Sequence, residues 1–123
     1  MPTSPFEWII AASGIITAVA GLTALLAPHL LLRLGFKVDS AAGSTVFIVR
    51  HWGVLLFVVG VLIAYSIGTP EIRTPVLLAA ALEKLAIGLL LLLGSVKRTR
   101  LMTAVALGDA FFAILYIACV ALQ

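Results

Sequence analysis

Charge is what this chain has least of. Asp, Glu, Lys and Arg make up 11% of its 123 residues and apolar residues 63%, whereas a soluble globular domain carries about 25% charged and about 45–50% apolar residues. That shortage excludes a water-soluble fold. A domain of this size cannot hide so much apolar surface inside itself, so the hydrocarbon of a bilayer has to cover it. Thiols are nearly absent too. The single cysteine, Cys119, excludes an intrachain disulfide and leaves the redox compartment unread, and its apolar neighbours make it a small buried hydrophobe. The two histidines, His29 and His51, have no further imidazole or thiolate at ligand spacing, so no metal site is expected. No nucleophile motif or phosphate loop occurs either, and no cofactor is expected. The formal charge of +3 is scattered among apolar segments rather than gathered in a stripe, which argues against nucleic acid as a partner and leaves the lipid bilayer as the first one. Met1 to Phe6 lacks the basic n-region and small-residue cleavage site of a secretory signal, so the first apolar run is expected to stay in the mature protein.

Long apolar runs fill the rest of the chain. Trp8–Ala27, Val46–Ile67, Pro75–Val96 and Leu101–Leu122 are each near the roughly 20 residues that a helix needs to cross the hydrocarbon. They predict one all-α domain over residues 1–123, a polytopic four-transmembrane-helix bundle. The alternating segments of about ten residues that a barrel requires are missing. Punctuation agrees: Pro28 and Gly35 follow the first run, Gly68-Thr69-Pro70 follows the second, and Pro75 suits a helix start. Only the connection from Pro28 to Gly43 is long. Within it, Leu30-Leu31-Leu32-Arg33-Leu34 reads as a short interfacial helix, its leucines in the acyl boundary and Arg33 and Lys37 at the headgroups.

Arg33, Lys37, Lys97, Arg98 and Arg100 fall on the side of the first and third connections, and only Arg73 falls on the other. The positive-inside rule makes the richer side cytoplasmic, which predicts a multi-pass protein of the cell membrane with both termini extracytoplasmic. Trp8 and Tyr65 then sit at the outer interface, where aromatic belts form.

Gly14 and Gly21 in the first run, and Gly53 and Gly60 in the second, each lie seven residues apart and therefore on one helical stripe, where small residues let backbones approach closely in lipid. Ser13 and Thr17 extend that region with hydroxyls able to hydrogen-bond across helices.

The few charges inside the spans require an explanation, because a charge at mid-membrane costs several kcal/mol unless it faces the bundle interior and finds a partner. Measured from the basic end at ~1.5 Å per residue, Arg50 lies ~6 Å in, Asp109 ~12 Å, Lys84 ~18 Å and Glu83 ~20 Å. Glu83 and Lys84 are ~100° apart on their helix and cannot pair with each other; Lys84 with Asp109 is the favoured pair. Arg50 either joins the set, making it electrically neutral, or snorkels to the surface. Tyr116, seven residues after Asp109, carries a phenol on the same face, able to donate to Glu83 or to a ligand. Five ionisable groups exceed what fixing helix register requires. They predict a polar pocket among the second, third and fourth spans, lined by Arg50, Glu83, Lys84, Asp109 and Tyr116, with His51 at its edge as a further ligand-binding candidate.

The order of features, Gly21-Leu22-Thr23-Ala24-Leu25-Leu26-Ala27-Pro28, then Leu34-Gly35, then Arg50-His51-Trp52-Gly53-Val54 opening the second span, resembles small DoxX-like membrane proteins. The resemblance spans most of the chain and implies a four-helix bundle. It implies no catalytic residues.

Three functions fit these residues. The first is a binding module for a small lipophilic or amphipathic ligand or a partner subunit, with the site completed in a homo-oligomer. The second is a membrane-embedded enzyme of isomerase or epoxide-opening type, in which Asp109 or Glu83 is the acid or base and Tyr116 a proton donor. The third is a proton-coupled transporter with Glu83 as the proton carrier.

Overall fold

A computed structural model describes residues 2–95 and 97–123 of the chain as five helices. They are α1 (Pro5–Leu26), α2 (Pro28–Phe36), α3 (Gly43–Ile67), α4 (Pro70–Leu93) and α5 (Arg100–Ala121). All but α2 are long and apolar enough to cross a membrane, and the fold is the expected four-span bundle. Val96, the expected end of the third span, lies outside the described residues.

α1 begins earlier than its apolar run because Ser4 caps it: the Ser4 hydroxyl accepts from the Glu7 amide at 3.2 Å, and the Glu7 carboxylate reaches back to the Thr3 amide at 2.7 Å. This is close to the reciprocal capping box that a Ser-x-x-Glu sequence encodes. α2 is the expected short helix. It ends on Lys37, whose left-handed backbone (φ 56°, ψ 36°) lets the amides of Lys37 and Val38 bond Arg33 O and Leu32 O at 3.1 Å each, a Schellman stop.

α4 starts at Pro70 and not at Pro75. Proline costs nothing at the first helical position, where the missing N–H would have no partner. Pro75 is tolerated one turn further in because the carbonyl it frees, that of the exposed Glu71, stays at the end of the bundle where water reaches it. The connection from α3 therefore shrinks to Gly68 and Thr69, and Arg73 lies on helix rather than in a loop. Arg73 closes that end. Its guanidinium donates to Ser66 O at 3.3 Å and Ile67 O at 2.5 Å, at the carbonyl end of α3, and pairs with Glu7 of α1 at 3.5 Å.

In cross-section the four long helices form a square in the order α1, α3, α4, α5. The α1–α3 and α4–α5 sides are the most closely packed and the α5–α1 side the least, so α1 and α4 face each other across a diagonal. Antiparallel α1 and α3 are joined by their glycines. A Cβ on Gly53 would lie 2.6 Å from Gly21 O, and one on Gly14 would lie 2.7 Å from Gly60 O. No side chain fits between these backbones, so the dispersion contacts of a lipid-embedded interface are made directly by main-chain atoms. An apolar core of Ile10, Ile63, Leu77, Ala113 and Tyr116, with Cys119 at its edge, fills the end nearest the termini. A smaller cluster of Leu91, Met102 and Ala106 fills the basic end. Trp8 and Tyr65 are exposed at the same end of the bundle, near the start of α1 and the end of α3. Thr99, which caps α5, also donates its amide to Gly35 O at 2.9 Å and its hydroxyl to Leu34 O at 2.7 Å, fastening the end of α2 to the start of α5.

Candidate functional site

Between the two clusters the interior is polar. Lys84 of α4 is buried, and its ammonium donates to Asp109 Oδ1 of α5 at 3.1 Å and to Thr17 Oγ1 of α1 at 3.1 Å. The expected Lys84–Asp109 pair is thus present. The Lys84 side chain keeps only 4% of its exposure while that of Asp109 keeps 20%, so the carboxylate is the member facing open space.

The hydroxyls of α1 are placed by their own helix. Thr17 donates to Ser13 O at 2.8 Å, which leaves its lone pairs for Lys84. Ser13 donates its only proton to Ile10 O at 2.6 Å, and Tyr116 OH lies 2.5 Å from Ser13 Oγ. With the serine proton already engaged, the phenol must be the donor. Tyr116 does not serve Glu83 or the cleft, as its place on the Asp109 face had implied: fully buried, it has its proton committed to Ser13, and Phe112 is stacked against its ring.

A cavity of about 330 Å³ runs beside these groups. Ser13, Thr17 and Thr23 of α1 line one wall, Lys84 and Glu83 of α4 the back, and Gly108 and Asp109 of α5 the other wall, with Leu31 of α2 and Met102 closing the basic end. Its edges on the loose α5–α1 side are apolar and outward-facing, with Ile16 61% and Val105 42% exposed. A second cavity of about 250 Å³ opens between α3 and α4, and Trp52, Leu56 and Glu83 form the wall common to both. Within that wall Glu83 Oε2 is buried with no hydrogen-bond partner.

Arg50 and His51 stand outside the pocket expected of them, both exposed and neither lining either cavity. The buried stripe of α3 runs through Gly53, Leu56, Gly60 and Ile63; at about 100° per residue, Arg50 is turned about 100° from its centre and His51 about 160°. Arg50 thus lies outside the cleft and does not balance the interior carboxylates. The pocket also differs from expectation in using α1. Ser13 and Thr17, four residues apart on an otherwise apolar helix, were the sequence signal for that wall; Trp52, Gly108 and Met102 gave none. His29 is exposed, and among the described residues no three His, Cys, Asp or Glu side chains come together as a metal-binding group.

No family model matches this chain, and comparisons with curated proteins and with solved structures return no match.

Proposed function

We propose that this protein binds a small lipophilic or amphipathic molecule that reaches the cleft from the bilayer between α1 and α5. One observation carries the reading: the 330 Å³ cavity pairs a polar floor, Lys84, Asp109, Thr17 and Glu83, with a rim of outward-facing apolar side chains, Ile16 and Val105. Ligand sites are largely apolar concavities with a few convergent polar groups, and this volume lies at the lower end of their range. Ionisable residues inside a membrane are costly enough to be kept for a purpose. A molecule with a polar head and an apolar tail matches that surface group by group.

The same reading includes an orientation. Arg33, Lys37, Lys97, Arg98 and Arg100 gather at the α2 end of the bundle, so we place that end in the cytoplasm and both termini outside, in the cell membrane. The resemblance to DoxX-like membrane proteins is in keeping with this arrangement of helices and adds no activity to it. Reporter tags after Gln123 and in the segment between α2 and α3 test the orientation; a cytoplasmic signal from the C-terminal tag overturns it.

The binding test is photolabelling in nanodiscs with a diazirine-bearing fatty alcohol. Adducts are expected inside the cleft, on Thr17, Thr23, Met102 and their neighbours. Gly108→Leu should remove them, because a side chain built at Gly108 meets no atom within 4 Å of its Cβ and grows into the cleft. Asp109→Asn, which keeps the shape and removes the charge, should leave the protein folded and lose the labelling. Labelling confined to the outer faces of the helices in the unaltered protein would sink the proposal.

A further inference from the structure

With Arg50 turned to the outside, the charges lining the cleft do not balance. One ammonium, that of Lys84, faces two carboxylates, those of Asp109 and Glu83. The ammonium is already shared between Asp109 and Thr17 at 3.1 Å each. Glu83 is adjacent in sequence but about 100° round the helix from Lys84, and its Oε2 is buried without a donor. A buried acceptor with no donor, and a buried charge with no counter-charge, are each unfavourable, and the remedy for both is a donor that carries positive charge.

We infer that the molecule this cleft takes is a lipophilic cation with N–H donors, an alkylammonium or an amphipathic amine of that kind. Its head donates to Glu83, and its tail leaves past Ile16 and Val105 toward the bilayer. The inference rests on the ligand-binding reading above and adds to it the ligand's charge. An anionic head would bring a third negative charge beside Asp109 and Glu83. A neutral alcohol would supply the donor and leave the charge uncompensated. An ammonium answers both, and it forms the charge-assisted hydrogen bond that is stronger than a neutral one. Glu83 also borders the α3–α4 cavity, on the side of the cleft away from the α5–α1 opening, so a head bound there leaves the tail free for the apolar rim.

Occupancy is readable from within. Trp52 lines the cleft, while Trp8 is exposed near the start of α1, so in a Trp8→Phe background tryptophan fluorescence reports the site. The protein in nanodiscs of zwitterionic lipid is titrated with octylamine, octanol and octanoate, three tails of equal length with positive, neutral and negative heads, and protein-free nanodiscs correct for partitioning. Octylamine is expected to saturate the signal at about tenfold lower concentration than octanol, with octanoate giving no saturable response. Glu83→Gln should abolish the difference between amine and alcohol while octanol still binds. Equal binding of octylamine and octanol by the unaltered protein would overturn the cationic assignment, a proton on Glu83 then doing what the ammonium is proposed to do, and would leave the cleft as a lipophilic site. Preference for octanoate, or an amine preference that survives Glu83→Gln, overturns it as well. No saturable response to any of the three overturns both the charge assignment and the binding reading. The three titrations of the unaltered protein decide the matter even if Glu83→Gln fails to fold.

Discussion

Lys84 crosses the bundle diagonally: from α4 its ammonium reaches Thr17 of α1 at 3.1 Å while holding Asp109 of α5 at the same distance. One side chain therefore joins three of the four spans at mid-membrane, and the arrangement holds only while both acceptors face a cation. Lys84→Met should leave Asp109 without its counter-charge and cost about 3–5 kcal/mol, read as a lower melting temperature in detergent. Lys84→Met combined with Asp109→Leu should recover most of that loss. Equal stability of the single variant and the unaltered protein would show that the pair contributes nothing to stability.

The glycines divide into two kinds, and the difference is measurable. Gly14→Ala puts a methyl 2.7 Å from Gly60 O and 2.8 Å from Ala64 N, both main-chain atoms that cannot swing aside. It should destabilise by about 1–3 kcal/mol, the usual cost of overpacking. Gly108→Ala meets nothing within 4 Å and should be neutral or slightly stabilising through improved helix propensity. Thermal unfolding of the two variants side by side tests the α1–α3 contact; equal behaviour would mean that the backbones are not in contact there.

Ser13 and Tyr116 should show strong coupling. Ser13→Ala leaves a buried phenol with no acceptor and should cost about 1–3 kcal/mol, whereas Tyr116→Phe removes the demand itself and should cost less. In a double-mutant cycle Tyr116→Phe should rescue much of the Ser13→Ala defect. Because the phenol proton goes to Ser13 and not into the cleft, Tyr116→Phe should also leave photolabelling of the cleft unchanged. Lost labelling in a well-folded Tyr116→Phe variant would return the tyrosine to the site.

Lys37 ends α2 in the left-handed region, where a Cβ is unfavourable and glycine is at home. Its side chain is exposed and makes no contact that the stop requires. Lys37→Gly should therefore raise stability by about 0.5–1 kcal/mol. A loss of stability would mean that its charge matters more at that surface than its backbone does.

The spans, the short α2, the glycine stripe and the Lys84–Asp109 pair were all legible in the sequence. Each follows from a one-dimensional quantity: run length, a seven-residue spacing, or complementary charge at similar depth. What required the structure was azimuth and neighbourhood. Arg50 and Asp109 differ by only a few ångströms in depth, and the rotation that turns Arg50 outward is fixed by which face of α3 carries Gly53 and Gly60. That Ser13 rather than Glu83 takes the Tyr116 proton depends on α1 lying beside α5, and no pattern within either helix records this. The choice between Pro70 and Pro75 as the start of α4 turned on whether the carbonyl freed by the second proline could stay wet, a matter of its place at the end of the bundle. Ser4 and Glu7 did carry a capping signal, which explains why α1 outruns its apolar stretch.

The two-residue link of Gly68 and Thr69 also has a mechanical consequence. It joins the α1–α3 half to the α4–α5 half at one corner, as a spine joins two covers. The glycine contacts make the first half stiff in itself, so a change in the gap between α1 and α5 requires the halves to swing as units and not the helices to deform. Among the described residues the polar clasps between α1 with α2 and the α4–α5 half are Glu7 to Arg73, Ser13 to Tyr116, Thr17 to Lys84, and Leu34 and Gly35 to Thr99 at the basic corner. The gap can thus widen by releasing these polar contacts and the apolar packing beside them, without parting the zipped backbones of α1 and α3.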